Sequence, residues 1–220
     1  MALPILVINP NSTEAVTSGI DCAMEPLRVE GGIPIECATL SEGPPGIESQ
    51  AQSDAVIAPL CSLIREREAG SSAFIIACFS DPGLHAAREL TSKPVFGIAE
   101  SAWSIAMTRG ERFGIISILD ASIARHARAI RAAGLSERFA GDIAIGVSVT
   151  DLAGNDSVIE RLVETGQRLK RDHGADVIIL GCAGMAGYRS RCEGVLEIPV
   201  IEPTQAAATL AIGTVQLMSG

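Results

Sequence analysis

The chain has 220 residues, 47% of them apolar and 20% charged, which is enough to fill a core and too apolar for a disordered chain. Seventeen basic residues face 26 acidic ones for a net charge of -9, and only 3% are aromatic. Nucleic acid and anionic membrane both call for the opposite balance, so neither is an expected partner.

Short β-branched runs alternate with stretches of helical period. Strands are predicted at Ile5–Ile8, Ile33–Ala38, Ala73–Cys78, Val95–Ile98, Phe113–Ile118, Asp142–Val147, Val177–Cys182 and Val200–Ile201. Helices are predicted over Glu48–Glu68, Leu84–Leu90, Ala121–Ala133 and Ser157–His173. Several strands are apolar throughout, as in a parallel sheet covered on both faces. The alternation predicts an α/β fold with right-handed crossovers and a site at the carboxyl ends of the strands.

The plan occurs twice. Phe74-Ile-Ile-Ala-Cys78 ends a strand in Cys, enters a Gly-containing loop and reaches Lys93-Pro-Val-Phe-Gly97. Val177-Ile-Ile-Leu-Gly-Cys182 does the same and reaches Ile198-Pro-Val-Ile-Glu202, with Cys-to-Pro spacings of 16 and 17 residues. Upstream, Leu6-Val-Ile-Asn-Pro-Asn-Ser12 matches Gly114-Ile-Ile-Ser-Ile-Leu-Asp120. The repeat predicts two pseudo-symmetric α/β lobes sharing a cleft, 1–99 and 100–203, with the tail 204–220 packing back on the first. Glu100 and Glu202 follow equivalent strands and are read as a paired set. His85 is read as a helix-surface residue.

Common cofactors find little purchase here. Only Lys93 and Lys170 could form a Schiff base, and both sit in exposed contexts, so pyridoxal chemistry is not expected. The six Cys and three His lack metal-ligand spacing, so no metal is expected. No apolar run suits a membrane span and the N-terminus resembles no export signal, which predicts a cytoplasmic location with reduced thiols.

A cysteine ending an apolar strand ordinarily packs into a core. Packing does not require the same cysteine in two copies, and this repetition singles out Cys78 and Cys182. Nearby amides and helix dipoles are expected to lower both thiol pKa values. Thiols on opposite walls of a cleft could remove a proton from one face of a carbon and deliver one to the other. The turns Phe79-Ser80 and Ala183-Gly184 could donate to an enolate oxygen. Cys22, Cys37, Cys61 and Cys192 have no such counterpart and are read as filling.

Ile8-Asn-Pro-Asn-Ser-Thr13, Cys78-Phe-Ser-Asp-Pro-Gly-Leu84 with Ala86-Ala-Arg-Glu89, and Gly181-Cys-Ala-Gly-Met-Ala186 resemble the hydantoin racemases of the aspartate/glutamate racemase superfamily, which have allantoin racemases as relatives. The resemblance spans nearly the whole chain. It implies cofactor-independent two-base racemisation by Cys78 and Cys182, in a homo-oligomer acting on a small molecule. It also implies a substrate site made by Pro10, Asn11, Phe79, Ser80, Ala183 and Gly184, with Ser117 in the second lobe's matching turn. Amino-acid racemases carry Cys-Asn-Thr and Cys-Thr-His at the two sites. The small or apolar neighbours here suit a neutral cyclic diamide, a 5-substituted hydantoin. Alternatives are an allantoin or amino-acid racemase, a single-thiol decarboxylase or hydrolase, and a non-catalytic bilobal binder.

Overall fold

A computed structural model describes residues 2–152 and 157–218. Four strands, β1 (Ile5–Asn9), β2 (Ile35–Thr39), β3 (Ala73–Ile76) and β4 (Val95–Gly97), pair in parallel in the order β2-β1-β3-β4. A second parallel sheet repeats this with β5 (Phe113–Ser117), β6 (Phe139–Ala144), β7 (Val177–Leu180) and β8 (Val200–Ile201), ordered β6-β5-β7-β8. The α/β architecture of two matched parallel sheets is therefore the observed one.

Alternation along the inner strands sorts side chains into two layers. Ile5, Val7 and Ile75 face a core continuous with the second sheet. Leu6, Ile8, Phe74 and Ile76 face a separate core closed by Leu60, Ile64 and Leu84. Because both faces are covered, every position of β1 and β3 is buried, and the uninterrupted apolar runs follow from that.

The helices are α1 (Glu14–Met24), α2 (Gln50–Ala55), α3 (Ile57–Arg67), α4 (Leu84–Leu90), α5 (Ile98–Ala106), α6 (Asp120–Ala132), α7 (Ser157–His173), α8 (Arg189–Leu196) and α9 (Pro203–Met218). The single helix predicted over Glu48–Glu68 is broken at Val56. Pro59 has no N–H to give the Ala55 carbonyl, so the ladder cannot run through. A capping box of Ser49 and Gln52 starts α2. The strand predicted at Asp142–Val147 lies earlier, at Phe139–Ala144. It is an edge strand with no fully buried position, so no core face dictates its limits.

The last helix of each half packs across the molecule: α9 lies on β1, β3 and β4, and α5 lies on β7 and β8, the two helices also packing on each other. The helix of the tail, α9, thus packs on the first sheet. We propose residues 1–99 with the tail as the first lobe and 100–203 as the second, a division falling in the first turn of α5.

Candidate active site

Cys78 and Cys182 emerge just beyond β3 and β7 and line one cleft. Both exits are built alike. Ala77 N–H donates to the Ile8 carbonyl of β1 at 2.8 Å, and Gly181 N–H to the Ile116 carbonyl of β5 at 2.8 Å. The chain then turns sharply, Asp81 N–H closing on the Cys78 carbonyl and Met185 N–H on the Cys182 carbonyl. Two residues past each cysteine an amide points back at sulfur: Ser80 N–H at Cys78 and Gly184 N–H at Cys182. The Ser80 hydroxyl also lies 3.3 Å from Cys78 Sγ and 3.0 Å from Ser53 Oγ.

The thiols are not tuned downwards as the sequence suggested. Burial outweighs the amides and pushes both up, Cys182 to about 12. Their charged neighbours differ. Arg125 opposes the rise at Cys78 while Asp81 adds to it; Glu202 and Glu48 add to it at Cys182. A negative charge on Cys78 would raise Cys182 further, so ionisation of one thiol favours the neutral form of the other.

Of the residues carried over by resemblance, Asn11, Phe79, Ser80, Ala183 and Gly184 line the cleft with the two cysteines. Asn11 Oδ1 accepts from Asn9 Nδ2 and Thr13 N–H. Among the described residues its Nδ2 makes no hydrogen bond and is not a buried unpartnered atom, which leaves this donor for the cleft that Asn11 lines. Pro10 is buried and does not reach the wall. Ser117 is 0% exposed, behind the wall rather than in it. Its hydroxyl donates to Asp142 Oδ1 at 2.6 Å and lies 3.1 Å from His126 Nδ1.

Sequence reasoning missed Ser122, Arg125 and His126, all from α6, which line the same cleft. The available signal was the buried stripe Ser122, His126, Ile130 at four-residue spacing, an unusual place for a histidine. Arg125 Nη1 donates to the carbonyl of Glu48, whose carboxylate accepts from Val149 N–H, so this contact joins the two halves at the cleft.

The carboxylates also differ from expectation. Glu100 is exposed and pairs with Arg88 at 3.1 Å, whereas Glu202 is 2% exposed and accepts from the first amides of α9. The counterpart of Glu202 by function is Asp81, which accepts from Ala99 and Glu100 N–H at the start of α5. Glycine at 97 makes this possible, since a Cβ there would sit 2.3 Å from Asp81 Cγ. His85 is on the exposed face of α4, as read.

The sequence matches the Asp/Glu/Hydantoin racemase family over residues 5–211. A hydantoin racemase of Paenarthrobacter aurescens is 35% identical over 216 residues, 97% of this chain and 91% of that protein. An allantoin racemase structure from Klebsiella pneumoniae superposes with a TM-score of 0.92 at 31% identity, covering 99% of this chain and 89% of the other. An allantoin racemase from Pseudomonas fluorescens gives 0.93 at 28% identity, with 98% and 92% covered. With its paired sheets and its matched strand-end cysteines, the chain belongs to the Asp/Glu/Hydantoin racemase family.

Proposed function

We propose that this protein is a cofactor-independent racemase that inverts C5 of 5-substituted hydantoins, with Cys78 and Cys182 as the two bases. The observation carrying this reading is the pair of thiols at equivalent strand ends on one cleft. One thiolate takes the C5 proton while the opposite thiol delivers one to the other face, and the two sulfurs exchange states with each turnover. The carbanion is stabilised by delocalisation onto the adjacent carbonyl, whose oxygen the Asn11 amide is placed to meet. No charged side chain extends from the turns Cys78-Phe79-Ser80 and Cys182-Ala183-Gly184, which favours a neutral ring over an amino-acid zwitterion.

The test is an enantiopure 5-substituted hydantoin in D2O without added cofactor. Optical rotation should decay as deuterium enters C5. Cys78→Ser and Cys182→Ser should each abolish racemisation, and full racemisation by either single variant would sink the two-base mechanism. Allantoin, itself a hydantoin with a ureido group at C5, belongs in the same assay because two structurally similar proteins are allantoin racemases.

A further inference from the structure

The two halves hold matching polar networks beneath the cleft, and only one of them contains a titratable ring. In each, the end of the central strand, the first helix and the edge strand are joined. In the first half Asn9 Nδ2 donates to Thr17 Oγ1, which lies 2.6 Å from Thr39 Oγ1. In the second half Ser117, His126 and Asp142 occupy the corresponding elements.

Asp142 Oδ2 lies 2.8 Å from His126 Nδ1, and their side chains are 1% and 4% exposed. A carboxylate only accepts, and the Ser117 proton is already given to Oδ1, so the proton between ring and carboxylate belongs to Nδ1. In the neutral ring that leaves Nε2 as a bare acceptor. Nε2 has no hydrogen-bond partner among the described residues. Nor is it among the buried unpartnered polar atoms of the described residues, so it opens onto the space that His126 lines, which is the thiol cleft together with the adjoining pocket of Trp103 and Ala129 that shares Phe79, Ser80 and Arg125 with it. Phe79, next to Cys78, packs edge-on against the imidazole with centroids 5.1 Å apart, which fixes the ring plane. An acceptor unpartnered among the described residues therefore stands where the thiol cleft meets this adjoining pocket.

We propose that His126 is a substrate-binding residue whose Nε2 accepts a ring N–H of the cyclic amide. This rests on the hydantoin reading above and deepens it. Asn11 offers a donor to a carbonyl and His126 an acceptor to an N–H, the complementary pair that a cyclic amide edge presents. Asp142 and Ser117 act through His126 as positioning residues, holding the tautomer on which acceptance depends.

The experiment compares a 5-substituted hydantoin with its N1-methyl and N3-methyl derivatives. Each is assayed for KM and kcat with the wild type, His126→Phe and Asp142→Asn. His126→Phe keeps a ring against Phe79 but removes the acceptor. It should raise KM for the parent compound about tenfold, the scale of one lost hydrogen bond to a buried group, with kcat changed far less. One N-methyl derivative should lose about as much on the wild type, and should show no further loss on His126→Phe. Asp142→Asn presents an amide N–H to Nδ1, which moves the ring proton to Nε2 and turns the acceptor into a donor. It should reproduce the KM defect with the imidazole still in place, and it carries the test if His126→Phe does not fold. An unchanged parent KM in either folded variant, or an N-methyl penalty that persists undiminished in His126→Phe, would overturn the assignment. Failure of the wild type to racemise the parent hydantoin would instead overturn the function on which it rests.

Discussion

In the proposed two-base mechanism, the chemistry turns on how Cys78 and Cys182 share protons. Burial raises both thiols, so at neutral pH the thiolate that must take the C5 proton is a minority form. The value of kcat/KM should therefore climb with pH, about tenfold per pH unit between 7 and 9 while the reacting thiol remains mostly protonated. A pH–rate profile checks this; a flat profile would mean a thiolate already present in the resting enzyme. The cysteines were legible because they repeat at the same point of two equivalent motifs. Their pKa direction was not, since a motif reveals the nearby amides but not how much water the fold removes. Arg125 and His126 were hidden for another reason. They share α6 with several other charged residues, and only the neighbouring sheet decides which side chains turn inward. Ser117 was found but misplaced: it sits at the matching turn, and its full burial makes it a support for His126.

At the scale of elements, the strands read well because the central ones are apolar on both faces. The edge strand β6 and the broken α2–α3 helix read poorly, one for want of a buried face and the other through Pro59. The helix starts carry a further consequence. Asp81 caps α5 and Glu202 caps α9, and burial raises them to about 7 and about 6. Since the folded pKa exceeds the unfolded one for both, the folded state holds extra protons in the window between them. Stability therefore falls as pH rises from about 4 through 7, the reverse of an ordinary salt-bridged carboxylate. For Asp81, a rise from 3.8 to about 7 is worth on the order of a few kcal/mol. The melting temperature should be higher at pH 5.5 than at pH 8, and Asp81→Asn should remove much of that difference. Thermal melts at the two pH values measure it, and an unchanged difference in the variant would show that other groups set it. The repeat pointed to Glu100 as the partner of Glu202. The fold places the matching carboxylate at Asp81 instead, because a cap is selected by where it reaches rather than by its position in a repeat.

The two halves of the molecule are locked together by α5 and α9, which cross onto each other's side. Ala102, 0% exposed in α5, lies in the core that both sheets share. Ala102→Leu should overpack it, costing about 1–3 kcal/mol and lowering Tm by several degrees. Because the core is continuous, both halves should still unfold in one transition, and calorimetry would reveal a second peak if they did not. The doubled sheet was visible in sequence as a repeat; the crossing of α5 was not, since its apolar faces carry no mark of which sheet they meet. The unlike networks beneath the cleft, Asn9–Thr17–Thr39 against Ser117–His126–Asp142, have a consequence for mirror-image substrates. Racemisation has an equilibrium constant of one, so the Haldane relation forces kcat/KM to be equal for the two enantiomers. It places no such demand on kcat or KM alone. With imidazole under one wall and only amide and hydroxyls under the other, left- and right-handed forms should bind with different strengths and turn over at compensating rates, a handedness of the protein that the net reaction conceals.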